Sequence, residues 1–537
     1  TKGGTEEKPH GEAEFAAQEE FSRSRGYFFS PDGTTMAVQY TDQSKVERLS
    51  LADPVRPERA PERPYYPRAG TTNATVAYHL VDVKTGQAKE VRWDHAQFPY
   101  VAVARWEAGG PFVLYVLDRA QREGRLLAVG ATGETKVLLA EHDAAWLNVD
   151  PSVPRFLPDG SFVWSSEKSG QWELTLHAAD GTAKHTLLDR SHGYRSVVSA
   201  DANGVLCNGG AEPSEGVVWE VPLGGTPHAV AGANGHLFEA RAASPGGPVF
   251  LAEMSLGAWP RYFVQGKDGK RVPVAGTFGT PAALPQVRAL RLGPDQVRAF
   301  LVTPRAAKPG EKLPVLDAAY GGPHVTLAMA NALSFTRAQW MADAAHAFVV
   351  ILDAQGTPHR GRDWERPLYG NLGSLPLAGH KSALQALGAQ VPDADLARVG
   401  IYGWSFGGYL SALAVLAEPA FFRAAMAGAP PADWRDYDTA YTERYLGQPQ
   451  TDTAAYDDAS LLTWATKKGA SSPLLLVHGT ADDNVYFLHS LKLADAMARA
   501  GKTFEFLPLA NITHMLWEEE RYVGTWSRVA SFFRETL

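Results

Sequence analysis

The chain has 537 residues, a net charge of −8, 45% hydrophobic and 20% charged residues, and a single cysteine, Cys207. That length gives two or more domains with room for large cores, the negative balance removes any electrostatic case for nucleic acid, and no apolar run reaches the roughly 18 residues that would span a membrane. One cysteine excludes an internal disulfide and a cysteine-based metal cluster. Neither a P-loop nor an H-E-x-x-H zinc helix occurs, so no cofactor and no metal is implied.

In chain order, the first distinctive group is Gln18-Glu19-Glu20-Phe21, followed by Gly26-Tyr27-Phe28-Phe29-Ser30-Pro31-Asp32-Gly33. Two adjacent carboxylates repel each other, and on their own they read as a solvated helix face. Short strand-like runs then alternate with turns at Ser30-Pro31-Asp32-Gly33, Lys84-Thr85-Gly86, Ala131-Thr132-Gly133, Leu157-Pro158-Asp159-Gly160, Ala179-Asp180-Gly181, Ala243-Ser244-Pro245-Gly246 and Lys267-Asp268-Gly269. Few amphipathic helices interrupt them. The pattern predicts a β-propeller over residues 1–285. At roughly 45 residues per four-stranded blade, residues 15–285 make about six blades.

Over residues 286–537 the pattern changes to strands alternating with helices. Strands are expected at 314–319, 347–353, 397–402, 474–478 and 503–507, with a helix at 377–390, which predicts a mostly parallel α/β sheet. The strand at 397–402 runs directly into Gly403-Trp404-Ser405-Phe406-Gly407-Gly408-Tyr409 and then an alanine-rich apolar helix. This is a G-x-S-x-G elbow, whose glycines let a strand turn sharply into a helix while the serine hydroxyl stays exposed. An elbow serine needs a base and an orienting acid, which in α/β-hydrolases follow in the order serine, acid, histidine. The strand 474–478 ends before Thr480-Ala481-Asp482-Asp483-Asn484-Val485, which makes Asp482 the expected acid and Asp483 its competitor. His514 follows the next strand and precedes a last amphipathic helix from Leu516 towards Phe533. Among 16 histidines, position and order select His514 as the base over His478, which lies inside a strand.

These segments resemble the prolyl oligopeptidase family, and specifically its dipeptidyl peptidase IV branch. The elbow octet, His478-Gly479-Thr480-Ala481-Asp482-Asp483-Asn484-Val485, and Trp434-Arg435-Asp436-Tyr437-Asp438-Thr439-Ala440-Tyr441-Thr442-Glu443-Arg444-Tyr445-Leu446-Gly447 carry the likeness, and Gln18-Glu19-Glu20-Phe21 resembles that branch's double-glutamate motif. The resemblance extends over almost the whole chain and implies a propeller set over an α/β-hydrolase domain. It implies an oxyanion site made by the Phe406 N–H and the Tyr320 hydroxyl. It further implies an aromatic pocket for the residue before the scissile bond, formed by Trp434, Tyr437, Tyr441 and Val485. Asn484 would hold the penultimate carbonyl, and Arg444 would brace Glu19 and Glu20. A fixed carboxylate pair can bind a free α-ammonium through charge-assisted hydrogen bonds, which turns the two glutamates into a gauge of dipeptide length.

Compared with the family pattern, the glutamate motif comes early, so an N-terminal propeller segment is expected to be missing, together with the arginine that assists Asn484 and any signal peptide. Ala378-Gly379 stands where an acidic pair is usual, and Met515 replaces the glycine that usually follows the histidine. The expected activity is a serine exopeptidase that releases N-terminal Xaa-Pro dipeptides, and Xaa-Ala less readily, from peptides with a free N-terminus. An oligopeptidase or acylaminoacyl-peptidase of the same family is the alternative, and an inactive binding homologue the second. The resemblance further implies a homodimer. The compartment stays open, with the periplasm of a bacterial cell favoured over the cytoplasm.

Overall fold

The computed structural model describes residues 3–244, 246–276 and 279–537. Its N-terminal half consists of five four-stranded antiparallel sheets. The first pairs Tyr27–Phe29, Thr35–Asp42, Thr75–Asp82 and Ala88–Val91, and the last ends with Arg261–Gln265 and Arg271–Pro273. Each sheet is a meander of neighbouring strands, the blade unit that the regular Asp-Gly and Thr-Gly turns imply. Of the expected turns, the one at 243–246 contains Pro245, which lies outside the described residues.

Among the described residues there are five such sheets rather than the six expected from the length. The difference lies in residues that do not join blades. Residues 9–26 make a short helix, Phe15–Glu20, with its flanking bridges. Residues 43–74 form a long excursion between the second and third strands of the first sheet. This excursion is pinned to the other domain: Ala69 N–H donates to Tyr437 O at 2.8 Å, Thr439 N–H donates to Pro67 O at 2.9 Å, and Arg68 pairs with Asp436 at 2.8 Å.

The expected division at 285/286 falls between Arg271–Pro273 and Val287–Leu292, the first strand of an eight-stranded sheet. Val287–Leu292 and Val297–Val302 form an antiparallel hairpin, and the remaining strands run parallel to one another: Leu313–Ala318, Phe348–Asp353, Ala394–Trp404, Phe422–Gly428, Leu474–Gly479 and Glu505–Leu509. Helices cover both faces, so successive strand residues enter opposite cores, as the two-residue period of a strand requires. Val315, Val350 and Ile401 pack into the core beneath the helices Ser374–Gln390 and Phe406–Ala417. Leu316, Val349 and Tyr402 pack into the core beneath Thr336–Ala345 and Glu519–Thr536.

Two local departures from the sequence reading have physical causes. The last helix begins at Glu519 rather than Leu516: Leu516 is buried in the core, Glu518 has the extended backbone of an N-cap, and Glu519 and Glu520 place acidic charge in the first turn, where the helix dipole favours it. The strand Phe422–Gly428 was not expected, because its alanine-rich segment carries little β-propensity. Its position between two buried strands makes it a strand, and the close approach of the elbow helix explains the small residues. A Cβ on Gly408 would lie 2.1 Å from the carbonyl oxygen of Gly428. Gly408→Ala is therefore expected to lower unfolding stability by about 1–3 kcal/mol, measured by urea denaturation; unchanged stability would show that helix and strand can separate freely.

Candidate active site

Ser405 stands between the last residue of Ala394–Trp404 and the first of Phe406–Ala417, with φ 58° and ψ −120°. A non-glycine residue held in such a conformation stores strain, and the surroundings fix it here. Its N–H donates to Gly428 O at 2.8 Å, and a Cβ at Gly407 would meet the Ala319 carbonyl oxygen at 2.2 Å. The elbow helix is buried along nearly its whole length, so the turn rests on a packed base.

Asp482 and His514 lie on the loops after the last two parallel strands, Leu474–Gly479 and Glu505–Leu509. Asp482 Oδ2 accepts from His514 Nδ1 at 2.8 Å, and Asp482 Oδ1 accepts the backbone N–H groups of Val485 at 2.9 Å and Asn484 at 3.1 Å. Burial alone would raise this carboxyl, but its hydrogen bonds with His478 and His514 outweigh that and hold it at about 2. Asp483 is exposed. His478 is fully buried, between the Ser490 hydroxyl at 2.7 Å and the Val485 carbonyl at 2.8 Å, and supports the acid's loop. The Trp404 indole N–H donates to His514 O at 2.7 Å, which ties the histidine loop to the residue before the serine.

Ser405 and His514 line a cavity of about 430 Å³ together with Tyr320, Trp404 and Met515. Burial, reinforced by the nearby Glu20, pushes the Tyr320 phenol up to about 12, so it stays a hydroxyl donor at neutral pH. Phe406 opens the elbow helix, where backbone N–H groups lack intrahelical acceptors. The chemistry available is nucleophilic attack by a hydroxyl, with proton transfer to a fixed imidazole and charge stabilisation by an N–H and an O–H.

Trp434, Tyr437 and Tyr441 form a closed aromatic corner. Trp434 stacks on Tyr441 at 5.7 Å, and Tyr437 meets Tyr441 edge-on at 5.4 Å. Val485 is fully buried beside them in the same core. The Tyr437 hydroxyl donates to Asn484 Oδ1 at 2.8 Å, and Asn484 Nδ2 donates to Glu19 Oε2 at 2.8 Å. The Tyr441 hydroxyl is buried without a hydrogen-bond partner among the described residues.

Glu19 and Glu20 end the helix Phe15–Glu20, whose Ala16, Ala17 and the following Phe21 pack with Ala440 from the helix Thr439–Leu446. Burial raises the Glu20 carboxyl well above its ordinary value, Asp438 adds to that, and Arg444 opposes it. Asp438 is also raised, chiefly by burial. Both glutamates line a second cavity, of about 350 Å³, with Arg444, His324 and Trp172. Arg444 makes no ion pair with either glutamate. Its Nε donates to Gln121 Oε1 at 2.6 Å and its Nη1 to His324 Nε2 at 2.8 Å.

The sequence reading missed Tyr66, Arg68, Gln121, His324 and Asp438 as site-forming residues. Tyr66 is buried against Phe15 and Tyr486, and its hydroxyl donates to Asn484 O at 3.0 Å. Its segment, 43–74, shows no strand period, and that irregularity was the only available signal. Asp438 sits inside a recognised motif, but its role as the helix N-cap, accepting from Tyr441 N–H at 3.0 Å, depends on where the helix begins.

Comparison with known proteins places this geometry. Residues 331–537 match the model of the prolyl oligopeptidase family, and residues 1–205 match that of the dipeptidyl peptidase IV (DPP IV) N-terminal region. Dipeptidyl peptidase 8 of Mus musculus is 26% identical over 93% of this chain and 67% of its own length. A probable dipeptidyl peptidase 4 of Aspergillus fumigatus is 25% identical over 89% of this chain and 67% of its own. The chain thus spans about two thirds of such relatives. The crystal structure of Porphyromonas gingivalis dipeptidyl peptidase 4 superposes with a TM-score of 0.90 at 24% identity, covering 100% of this chain and 78% of that one.

Ser405→Ala is expected to abolish covalent labelling by a fluorophosphonate probe. Asp482→Asn, which forces the wrong imidazole tautomer, is expected to slow labelling by on the order of 10³–10⁴. Wild-type labelling kinetics in Asp482→Asn would remove Asp482 from the proton relay.

Proposed function

Because the chain belongs to the dipeptidyl peptidase IV branch of the prolyl oligopeptidase family of serine peptidases, we propose that it releases N-terminal dipeptides, preferring proline and accepting alanine less readily at the second position. The observation that carries this reading is one continuous connection: Glu19 is bonded to Asn484, whose own N–H bonds to Asp482, which holds His514. The acidic end of the cleft and the proton relay are therefore fixed to the same loop, and a substrate anchored by its amine has a set reach to the serine.

In this mechanism the Ser405 oxygen attacks the carbonyl carbon of the second substrate residue, and His514 Nε2 takes the hydroxyl proton. Asp482 keeps the other ring nitrogen protonated and stabilises the imidazolium. The oxyanion accepts from the Phe406 N–H and the Tyr320 hydroxyl. His514 then gives its proton to the departing amine, and water hydrolyses the dipeptidyl ester through the same steps in reverse. The flat walls of Trp434, Tyr437 and Tyr441 suit a proline ring, whereas alanine would leave part of the pocket unfilled and lose contact energy.

Glu19 and Glu20 supply the selection for a free amine. An N-acylated substrate would bury two carboxylates without a cation, and a polar site left unpaired in this way rejects the wrong ligand strongly. Gly-Pro-aminomethylcoumarin is expected to be hydrolysed and its N-acetyl form not, with Glu19→Gln and Glu20→Gln each raising KM by about tenfold or more. Equal hydrolysis of both compounds would favour the oligopeptidase alternative; hydrolysis of neither, the inactive homologue.

A pH dependence follows from the raised carboxyls. A group whose folded-state pKa is raised stays neutral above the usual carboxylate range and gains its charge only at higher pH. Binding of the free amine is therefore expected to weaken on acidification well above pH 4. Asp438→Asn keeps a helix cap and removes a neighbouring charge, so the acidic limb of kcat/KM for the free-amine substrate is expected to move to lower pH. An unmoved limb would separate Asp438 from amine binding.

A further inference from the structure

His324 follows the Tyr320-Gly321-Gly322-Pro323 turn with φ +71°, a left-handed conformation that a non-glycine residue holds only where its surroundings impose it. Its ring borders the cavity that Glu19 and Glu20 also line. Arg444 Nη1 donates to His324 Nε2 at 2.8 Å, and the Tyr445 hydroxyl is hydrogen-bonded to the same nitrogen. A guanidinium has only donors, so Nε2 is the acceptor and the imidazole is neutral. Crowding by protein and the Arg444 charge both push its pKa down, in keeping with that state.

The contacts of Arg444 give this arrangement a purpose. The side chain is buried, its Nε is taken by Gln121, its guanidinium carbon lies over the Phe21 ring at 5.6 Å, and its Nη2 has no partner among the described residues. It lies near enough to Glu20 to lower that carboxyl, yet no ion pair forms with either glutamate. A guanidinium bound directly to Glu20 would occupy the acceptors that an incoming ammonium needs, because bidentate arginine–carboxylate pairing is among the strongest contacts available.

We propose that His324 is a positioning residue that tethers Arg444 beside, but not on, the glutamate pair, so that the carboxylates remain open to the substrate amine. This inference rests on the amine-anchoring reading of Glu19 and Glu20. The tether also joins the loop carrying Tyr320 to the amine end of the cleft, and it draws on three segments far apart in sequence: Gln121 from the propeller, His324, and Arg444.

The test compares His324→Leu with His324→Gln. Both substitutions bear the same backbone strain, but only glutamine retains an acceptor for Arg444. For Gly-Pro-aminomethylcoumarin, His324→Leu is expected to raise KM about tenfold, the scale of one lost charge-assisted contact. Its kcat and its fluorophosphonate labelling rate should stay near wild type, which also reports an intact fold. His324→Gln should restore KM. In an Arg444→Met background, His324→Leu should have no further effect, since the histidine acts through the arginine. Wild-type hydrolysis of the N-acetyl compound is read first and overturns the amine reading itself. With that reading intact, equal KM in the two His324 variants, or effects that add independently of Arg444, overturns the tether.

Discussion

The packing of the Phe15–Glu20 helix on the Thr439–Leu446 helix is the contact on which the rest of the site depends. Ala16, Ala17 and Phe21 on one side and Ala440 on the other are small or flat enough to bring the two backbones close. This apolar seam fixes a pair of carboxylates from the propeller at a set distance from a serine that belongs to a separate sheet. Electrostatics could not do this alone. Glu20, Asp438 and Glu19 repel one another, and burial makes the charges of Glu20 and Asp438 more costly. Apolar contact holds the acidic groups together against that repulsion, and the result is a site short of positive charge.

The same logic explains why polar connections across the domain boundary are so heavily buttressed. Arg119 binds Glu443 with two contacts of 2.7 Å, and Arg68 reaches both Glu47 and Asp436. Arg366 joins Asp143 and Glu167 of the propeller to its own helix. Partly buried pairs of this kind add little net stability because desolvation cancels much of their attraction. Their directionality is the more consequential property. They fix the orientation of the segment 436–445, which carries Tyr437, Tyr441 and Arg444.

What could be read from the sequence divides along the same line. Ser405, Asp482 and His514 each sit at the end of a strand, and strand ends are local features: an apolar run, a glycine, a polar loop. The structure brings Asp482 and His514 together as their order implied, and it separates Asp482 from Asp483 by burial, which the sequence could address only through position. The propeller was legible from its turns, though its sheet number was not, because a strap such as 43–74 has the length of most of a blade and none of its alternation. Contacts made across the boundary were the least legible. Nothing near His324 in sequence points to Arg444 or Gln121, and Tyr66 gives no sign that its hydroxyl will reach the backbone of Asn484.

A deeper consequence concerns how the two halves share a task. The hydrolase sheet positions its groups through a strained elbow and a buried helix, features a single domain can stabilise by its own core. The glutamate end draws on both halves, since Ala16, Ala17 and Phe21 share a propeller core that also takes in Ala440. Its helix is six residues long and lacks a side-chain cap, too short to persist alone, so its shape is imposed by the surfaces it lies between. On the proposed reading, bond breaking belongs to a self-supporting domain, and measurement of the substrate to an interface. A substrate that bridges Glu20 and Ser405 would contact both, which makes domain alignment itself a condition of specificity. On that reading, selection by length would follow from the rigidity of one seam of alanines and the arginines that hold its ends.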